Sequence, residues 1–179
     1  MRSLAPAACL AALALAGCGG DDGEKPTQPL PQVNTSIDFT SPAFRDHGSI
    51  PKRYTCSGEG VSPPLRWRGI SGRELTLIVE DIDADRFVHW IVLRIPPDVD
   101  HLDTGKIPAG AVEAENSFGD REWGGPCPPE GDDPHRYVFA LYETDAALGL
   151  GADASPDEVH AAIRAHAVRA GKLFGSFGR

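Results

Sequence analysis

Leu75-Thr76-Leu77-Ile78-Val79-Glu80-Asp81 and, after a short turn, Val88-His89-Trp90-Ile91-Val92-Leu93-Arg94-Ile95 decide how this chain folds. Both runs are β-branched, aromatic and almost continuously apolar from Leu75 to Val79 and from Val88 to Val92. A half-buried strand alternates apolar and polar residues; near-unbroken apolarity over five residues instead marks central strands covered on both faces. Further runs lie at Ala111–Glu115 and Arg136–Tyr142, with shorter candidates at Ile37–Phe39 and Leu65–Trp67. Ser-Pro, Pro-Pro, Gly-Pro and Asp-Asp-Pro breakers stand between them, so the expectation is a mainly β protein.

One helix is expected, over 156–170. Ser155-Pro156-Asp157-Glu158 supplies an N-cap serine, proline at the first helical position and glutamate at the third, and Val159, Ile163 and Ala167 recur every four residues. Gly171 would end it in a left-handed cap. Asp145 to Leu148 is a candidate for one additional turn. No internal repeat or second domain is visible, and 37–179 suits one domain with a single core.

Arg2, the Ala/Leu stretch from Leu4 to Ala16 and the ending Leu15-Ala16-Gly17-Cys18 read as a secretory leader over 1–17, too short to cross a hydrocarbon layer of roughly 30 Å. Cysteine at this position, followed by Gly and Asp, is expected to be the lipid-modified first residue of the mature chain, an anchor at a membrane outside the cytoplasm. The polar, proline-bearing segment 18–36 would be a flexible linker, with Leu30 the only large apolar side chain from Gly19 to Gln32. The full chain has a net charge of −9. Loss of 1–17 removes only Arg2, leaving 16 basic against 26 acidic side chains, a net −10 that argues against nucleic-acid partners and electrostatic adhesion to anionic lipid. Cys9 departs with the leader and Cys18 is the anchor, so Cys56 and Cys127 form an even remainder in a compartment that permits disulfides. Bridged, they would close a loop of about 70 residues, worth roughly 4 kcal/mol in the chain-entropy description. Two buried free thiols are the alternative.

Asp81 follows the first quoted run and His89 opens the second. His135 and Tyr137 begin a later strand, where alternation sends their side chains to one face and Arg136 to the other. Imidazole N–H groups and a phenol O–H suit phosphate oxygens, Asp81 can orient a histidine, and Pro128-Pro129 would make a stiff wall. Simpler roles compete. Asp81 can cap a turn, His89 and Trp90 can belong to the core, which is the favoured reading for Trp90, and Arg136 with Asp83 makes a structural ion pair in preference to a ligand contact.

Asp81-Ile82-Asp83, His89-Trp90, Gly125-Pro126-Cys127-Pro128-Pro129 and His135-Arg136-Tyr137, with Tyr54-Thr55-Cys56, Ser62-Pro63-Pro64-Leu65 and Leu173-Phe174-Gly175, resemble the phosphatidylethanolamine-binding protein family in its prokaryotic Raf kinase inhibitor-like branch. The resemblance runs in order from about Phe39 to Arg179. It implies a central, largely antiparallel sheet packed on a smaller β layer with one C-terminal helix. It also places the two cysteine motifs close together, and makes Asp81, His89, Pro128, Pro129, His135 and Tyr137 the lining of a small anion pocket that accepts phosphoethanolamine-like head groups. One motif departs: the family commonly has Asp-Pro-Asp-Ala-Pro where this chain reads Asp81-Ile82-Asp83-Ala84-Asp85. Two prolines are lost and Asp85 adds a charge worth about 1 kcal/mol of repulsion at a partly solvated rim.

The leading functional expectation is a lipid-anchored binding protein for a small anion or phospholipid head group. An envelope protein that inhibits a protease or another protein partner is the alternative, and a hydrolase ranks below both: no G-x-S-x-G elbow is present. No cofactor is expected, and Asp81, Asp83, His89 and His135 lack the H-x-x-x-H or C-x-x-C spacing of a zinc site.

Overall fold

The computed structural model describes residues 29–179 apart from residue 72. The expected leader, Cys18 and most of the expected linker lie outside the described residues. Among the described residues ten strands and one α-helix follow in chain order, with a single 3-10 turn at Lys52–Tyr54: β1 (Asn34–Thr35), β2 (Asp38–Thr40), β3 (Gly48–Ser49), β4 (Leu65–Arg68), β5 (Leu75–Asp81), β6 (Phe87–Ile95), β7 (His101–Leu102), β8 (Val112–Glu113), β9 (His135–Thr144), α1 (Pro156–His166) and β10 (Ala167–Phe177). The large sheet has the order β1-β10-β9-β5-β6-β8, and β3 also pairs with β10. β2, β4 and β7 form a separate three-stranded sheet. The long neighbours β10, β9, β5 and β6 are antiparallel, whereas β1 and β3 join β10 in parallel.

The apolar run of β5 is divided between two cores. Leu75, Leu77 and Val79 join Phe39, Leu65 and Trp67 of the small sheet, while Ile78 joins Ile91, Ala140, Val159 and Ile163 under α1. Both faces of the large sheet are thus covered, as unbroken apolarity requires. The helix begins as its capping box dictates: the Glu158 backbone N–H donates to Ser155, and the Glu158 carboxylate accepts from the Ser155 backbone N–H.

The helix ends four residues earlier than its pattern suggests. Ala167 is already extended, at φ −67° and ψ 127°. From there β10 pairs with β9 along its length, from Ala167↔Thr144 to Phe177↔His135. Ladder hydrogen bonds and a covered face outweigh the helical propensity of the alanines in 165–170. Gly171 is therefore a mid-strand residue and no helix cap. A Cβ there would lie 2.6 Å from the Phe39 Cβ and 2.9 Å from the Ile37 carbonyl oxygen, so glycine lets the two sheets meet. Residues 145 and 146 form a bend, not a helical turn, and the run at 111–115 contributes only Val112–Glu113. The folded body also begins before residue 37: Leu30 is 4% exposed within the helix-side core, and Asn34 and Thr35 pair with Arg169 and Ala170.

Candidate functional site

β5 lies between β6 and β9, and its last residue is in register with the first residue of β6 and the third of β9: Asp81 pairs with Phe87 on one side and with Tyr137 on the other. Antiparallel pairing thus delivers Asp81, His89, His135 and Tyr137 to one sheet end. They floor a cavity of about 190 Å³. Cys127, Pro128 and Pro129 form one wall, and Ala84, Phe87 and Phe118 form the lip. All six residues expected at the pocket line this cavity. A larger hollow of about 340 Å³ lies around Trp90, Trp123, Lys106 and Glu113, apart from that constellation.

Both Asp81 oxygens are engaged. Oδ1 accepts the Asp83 backbone N–H at 2.9 Å, and Oδ2 lies 2.7 Å from His135 Nδ1. His89 is held differently, with Nδ1 2.7 Å from the Gly124 carbonyl oxygen. Asp81 therefore orients one imidazole, and the backbone before the proline loop orients the other. A carbonyl or a carboxylate can only accept, so each Nδ1 carries the hydrogen. The neutral rings consequently offer a lone pair at Nε2. In the neutral state both Nδ1–H groups expected as donors are thus already engaged, and only a protonated ring has an Nε2–H to give.

The Tyr137 hydroxyl is buried and has no hydrogen-bond partner among the described residues. Burial, then the negative charge of Asp81 and a hydroxyl–carboxylate contact that falls short of hydrogen-bond geometry, pushes its pKa up, so the phenol keeps its proton. Burial lowers the His89 pKa, with the Gly124 bond opposing it. The two rings meet edge to face at 5.2 Å.

Arg136 points away and clamps Asp83, from Nε to Oδ2 at 2.9 Å and from Nη2 to Oδ1 at 2.5 Å, while its backbone N–H donates at 2.8 Å. The guanidinium holds the Asp83 carboxyl below the usual range. This is the structural pair expected from strand alternation. Trp90 is a core residue whose Nε1 donates to Glu113 at 2.7 Å. Cys56 and Cys127 form a disulfide with Cα atoms 5.4 Å apart. The Pro128 carbonyl accepts from Arg179 Nε at 2.7 Å, so the bridge and the last residue of the chain both secure the proline wall.

Sequence reasoning missed the lip. Asn116 Oδ1 accepts from the backbone N–H groups of Phe118 and Asp120, and Gly119 takes φ 84°, an Asx-type turn that leaves Phe118 50% exposed against Phe87 at 4.7 Å. The signal was present in Asn116-Ser117-Phe118-Gly119-Asp120, a turn-forming stretch holding a large aromatic. At the altered motif Ala84 meets the cavity and Asp85 is exposed beside it. Among the described residues no cluster of three His, Cys, Asp or Glu could hold a metal ion, and no helix is long and apolar enough to cross a membrane.

The profile described as "Phosphatidylethanolamine-binding protein" matches residues 40–178. A UPF0098 protein of Methanothermobacter thermautotrophicus is 44% identical over 146 residues, covering 76% of this chain and 95% of the relative. The protein named "Putative lipoprotein LppC" of Mycobacterium tuberculosis is 37% identical over 190 residues, covering 97% of this chain and 94% of its own length. The crystal structure of E. coli YbcL, described as a new member of the mammalian PEBP family, superposes with a TM-score of 0.76 at 26% identity, covering 81% of this chain and 99% of that one. Two layered β-sheets with a ligand-sized cavity at one sheet end define the class, and this chain belongs to the phosphatidylethanolamine-binding protein family.

Proposed function

We propose that the protein is a lipid-anchored binding protein of the cell envelope whose cavity receives a small phosphate-like anion or a phospholipid head group. The Tyr137 hydroxyl carries this reading. A buried hydroxyl without a partner costs about 1–3 kcal/mol, and an incoming oxygen acceptor would relieve it. His89 and His135 stand beside it, and Pro128-Pro129 keep the wall rigid. Envelope location is supported by Leu15-Ala16-Gly17-Cys18 and by the lipoprotein name of a relative that spans nearly the whole chain.

Titration calorimetry of the full chain with inorganic phosphate, phosphoethanolamine and acetate tests the pocket. Binding should occur and weaken at least tenfold in His135→Ala; affinity indifferent to that change removes the cavity from the account. Cys18→Ala should release the protein from membranes, and unchanged membrane association would exclude the anchor.

A further inference from the structure

We infer that the cavity selects oxyanions that carry a hydrogen of their own, inorganic phosphate and protonated phosphate monoesters, over isosteric anions that have none. This rests on the anion-binding reading above and narrows its ligand class. His135 Nδ1–H is directed to Asp81 and His89 Nδ1–H to the Gly124 carbonyl, at 2.7 Å each. Among the described residues neither Nε2 has a partner, and both rings line the cavity. Two ring lone pairs and one phenolic hydroxyl therefore look for complements. The two nitrogens need donors, while the phenol can give its hydrogen to an acceptor. An ammonium ion supplies donors and no acceptor. Sulfate supplies acceptors and no donor. Hydrogen phosphate supplies both.

Charge leads to the same class. Asp81 is buried directly behind His135, and a bare anion entering a neutral site would face that carboxylate together with two ring lone pairs. A proton shared between the anion and an Nε2 turns one of those repulsions into a charge-assisted hydrogen bond. His135 faces Asp81 from β5, Asp83 from the following turn, His89 from β6 and Tyr137 on its own strand, with Asp132, Asp133 and the Asp83-bound Arg136 around a hollow on its outer side. His89 faces Asp81, His135 and Tyr137, its remaining neighbours Phe87 and Phe118 being apolar. The free imidazole titrates near 6.5, and burial moves His89 lower still, so at pH 8 that ring has no proton of its own to offer.

The test compares phosphate and sulfate, both dianions at pH 8 and similar in shape, the first with one O–H and the second with none. By titration calorimetry on the full chain, phosphate should bind at least tenfold tighter than sulfate at pH 8, the value of one charge-assisted hydrogen bond. Dimethyl phosphate, which mimics the diester of an intact phospholipid and has no O–H, should bind no better than sulfate. At pH 5.5, below the titration of a free imidazole, the preference should shrink, with sulfate binding drawing protons from the buffer. Sulfate within twofold of phosphate at pH 8 overturns the selectivity and leaves an anion site standing. Binding of neither anion at either pH overturns the anion site as well. Dimethyl phosphate tighter than phosphate at pH 8 overturns the inference in favour of an intact lipid head group.

Discussion

Removing the Tyr137 hydroxyl should make the unliganded protein more stable and a poorer binder. The ring is fully buried in the core between the sheets, where it packs against His89, so Tyr137→Phe keeps the ring and deletes one oxygen. That oxygen makes no hydrogen bond, and an unsatisfied buried hydroxyl costs about 1–3 kcal/mol. Taking the lower end of that range, a gain of about 1 kcal/mol raises the midpoint of a domain of this size by about 2–4 °C. Tyr142→Phe is the matched control, since its buried hydroxyl also lacks a partner but it belongs to the helix-side core. Thermal unfolding of the full chain, with and without phosphate, separates the effects. Both variants should melt at or above the wild type without ligand, and only Tyr137→Phe should lose the upward shift that phosphate produces. A Tyr137→Phe midpoint more than about 2 °C below wild type without ligand would refute the reasoning, since the hydroxyl would then be making a favourable bond to Asp81 or to water.

Reducing the Cys56–Cys127 bridge, which spans 71 residues, should cost about 4 kcal/mol and lower phosphate affinity, because Cys127 is part of the cavity wall; a urea midpoint unmoved by reductant would contradict this. His89 has a folded pKa below its unfolded value, so it contributes stability above about pH 6.5 that is lost as the pH falls towards the folded pKa. Urea denaturation at pH 7.5 and 5.5 should show His89→Phe losing less stability over that interval than wild type, and equal losses would reject the role. Asp85→Asn should change phosphate affinity by less than about threefold, because Ala84 and not Asp85 meets the cavity; a tenfold gain would restore the full repulsion expected from the sequence.

The middle of the fold was legible because it obeys local rules. Continuous apolarity in β5 and β6 has one economical explanation, and the capping box placed the helix start to the residue. The long strand β10 was not legible as a strand. Its first residues, Ala167-Val168-Arg169-Ala170, continue a helical pattern, and it is pairing with the ten-residue β9 on one side and β1 on the other that makes the extended state preferable. At the site, residue identities were legible and hydrogen positions were not. That His135 and Tyr137 share a face follows from period two, but whether an imidazole offers a hydrogen or a lone pair depends on Gly124 and Asp81, brought next to it by folding.

The altered motif shows how a turn can be stiff without proline. Asp85 and Arg86 take φ of 47° and 60°, two consecutive left-handed residues that cost roughly 1–2 kcal/mol each in an L-residue chain. Something must hold them there. Arg86 Nη1 reaches Glu80 Oε2 at 2.9 Å, and the other oxygen of that buried carboxylate lies 2.7 Å from Nε2 of His160 on the helix. On the outer side Arg136 clamps Asp83, whose backbone N–H in turn donates to Asp81. The two clamps are not equivalent. The Arg136–Asp83 pair is largely solvated and weakens with salt, whereas Glu80, Arg86 and His160 lie where ions penetrate little. Glu80 cannot lose one partner cheaply, since an uncompensated buried carboxylate is far more costly than a broken surface pair. The inner clamp is therefore the stronger of the two, and it ties α1 to the turn that presents Asp81, Ala84 and Phe87, with Asp85 at a φ of 47° that the ring of a proline could not adopt.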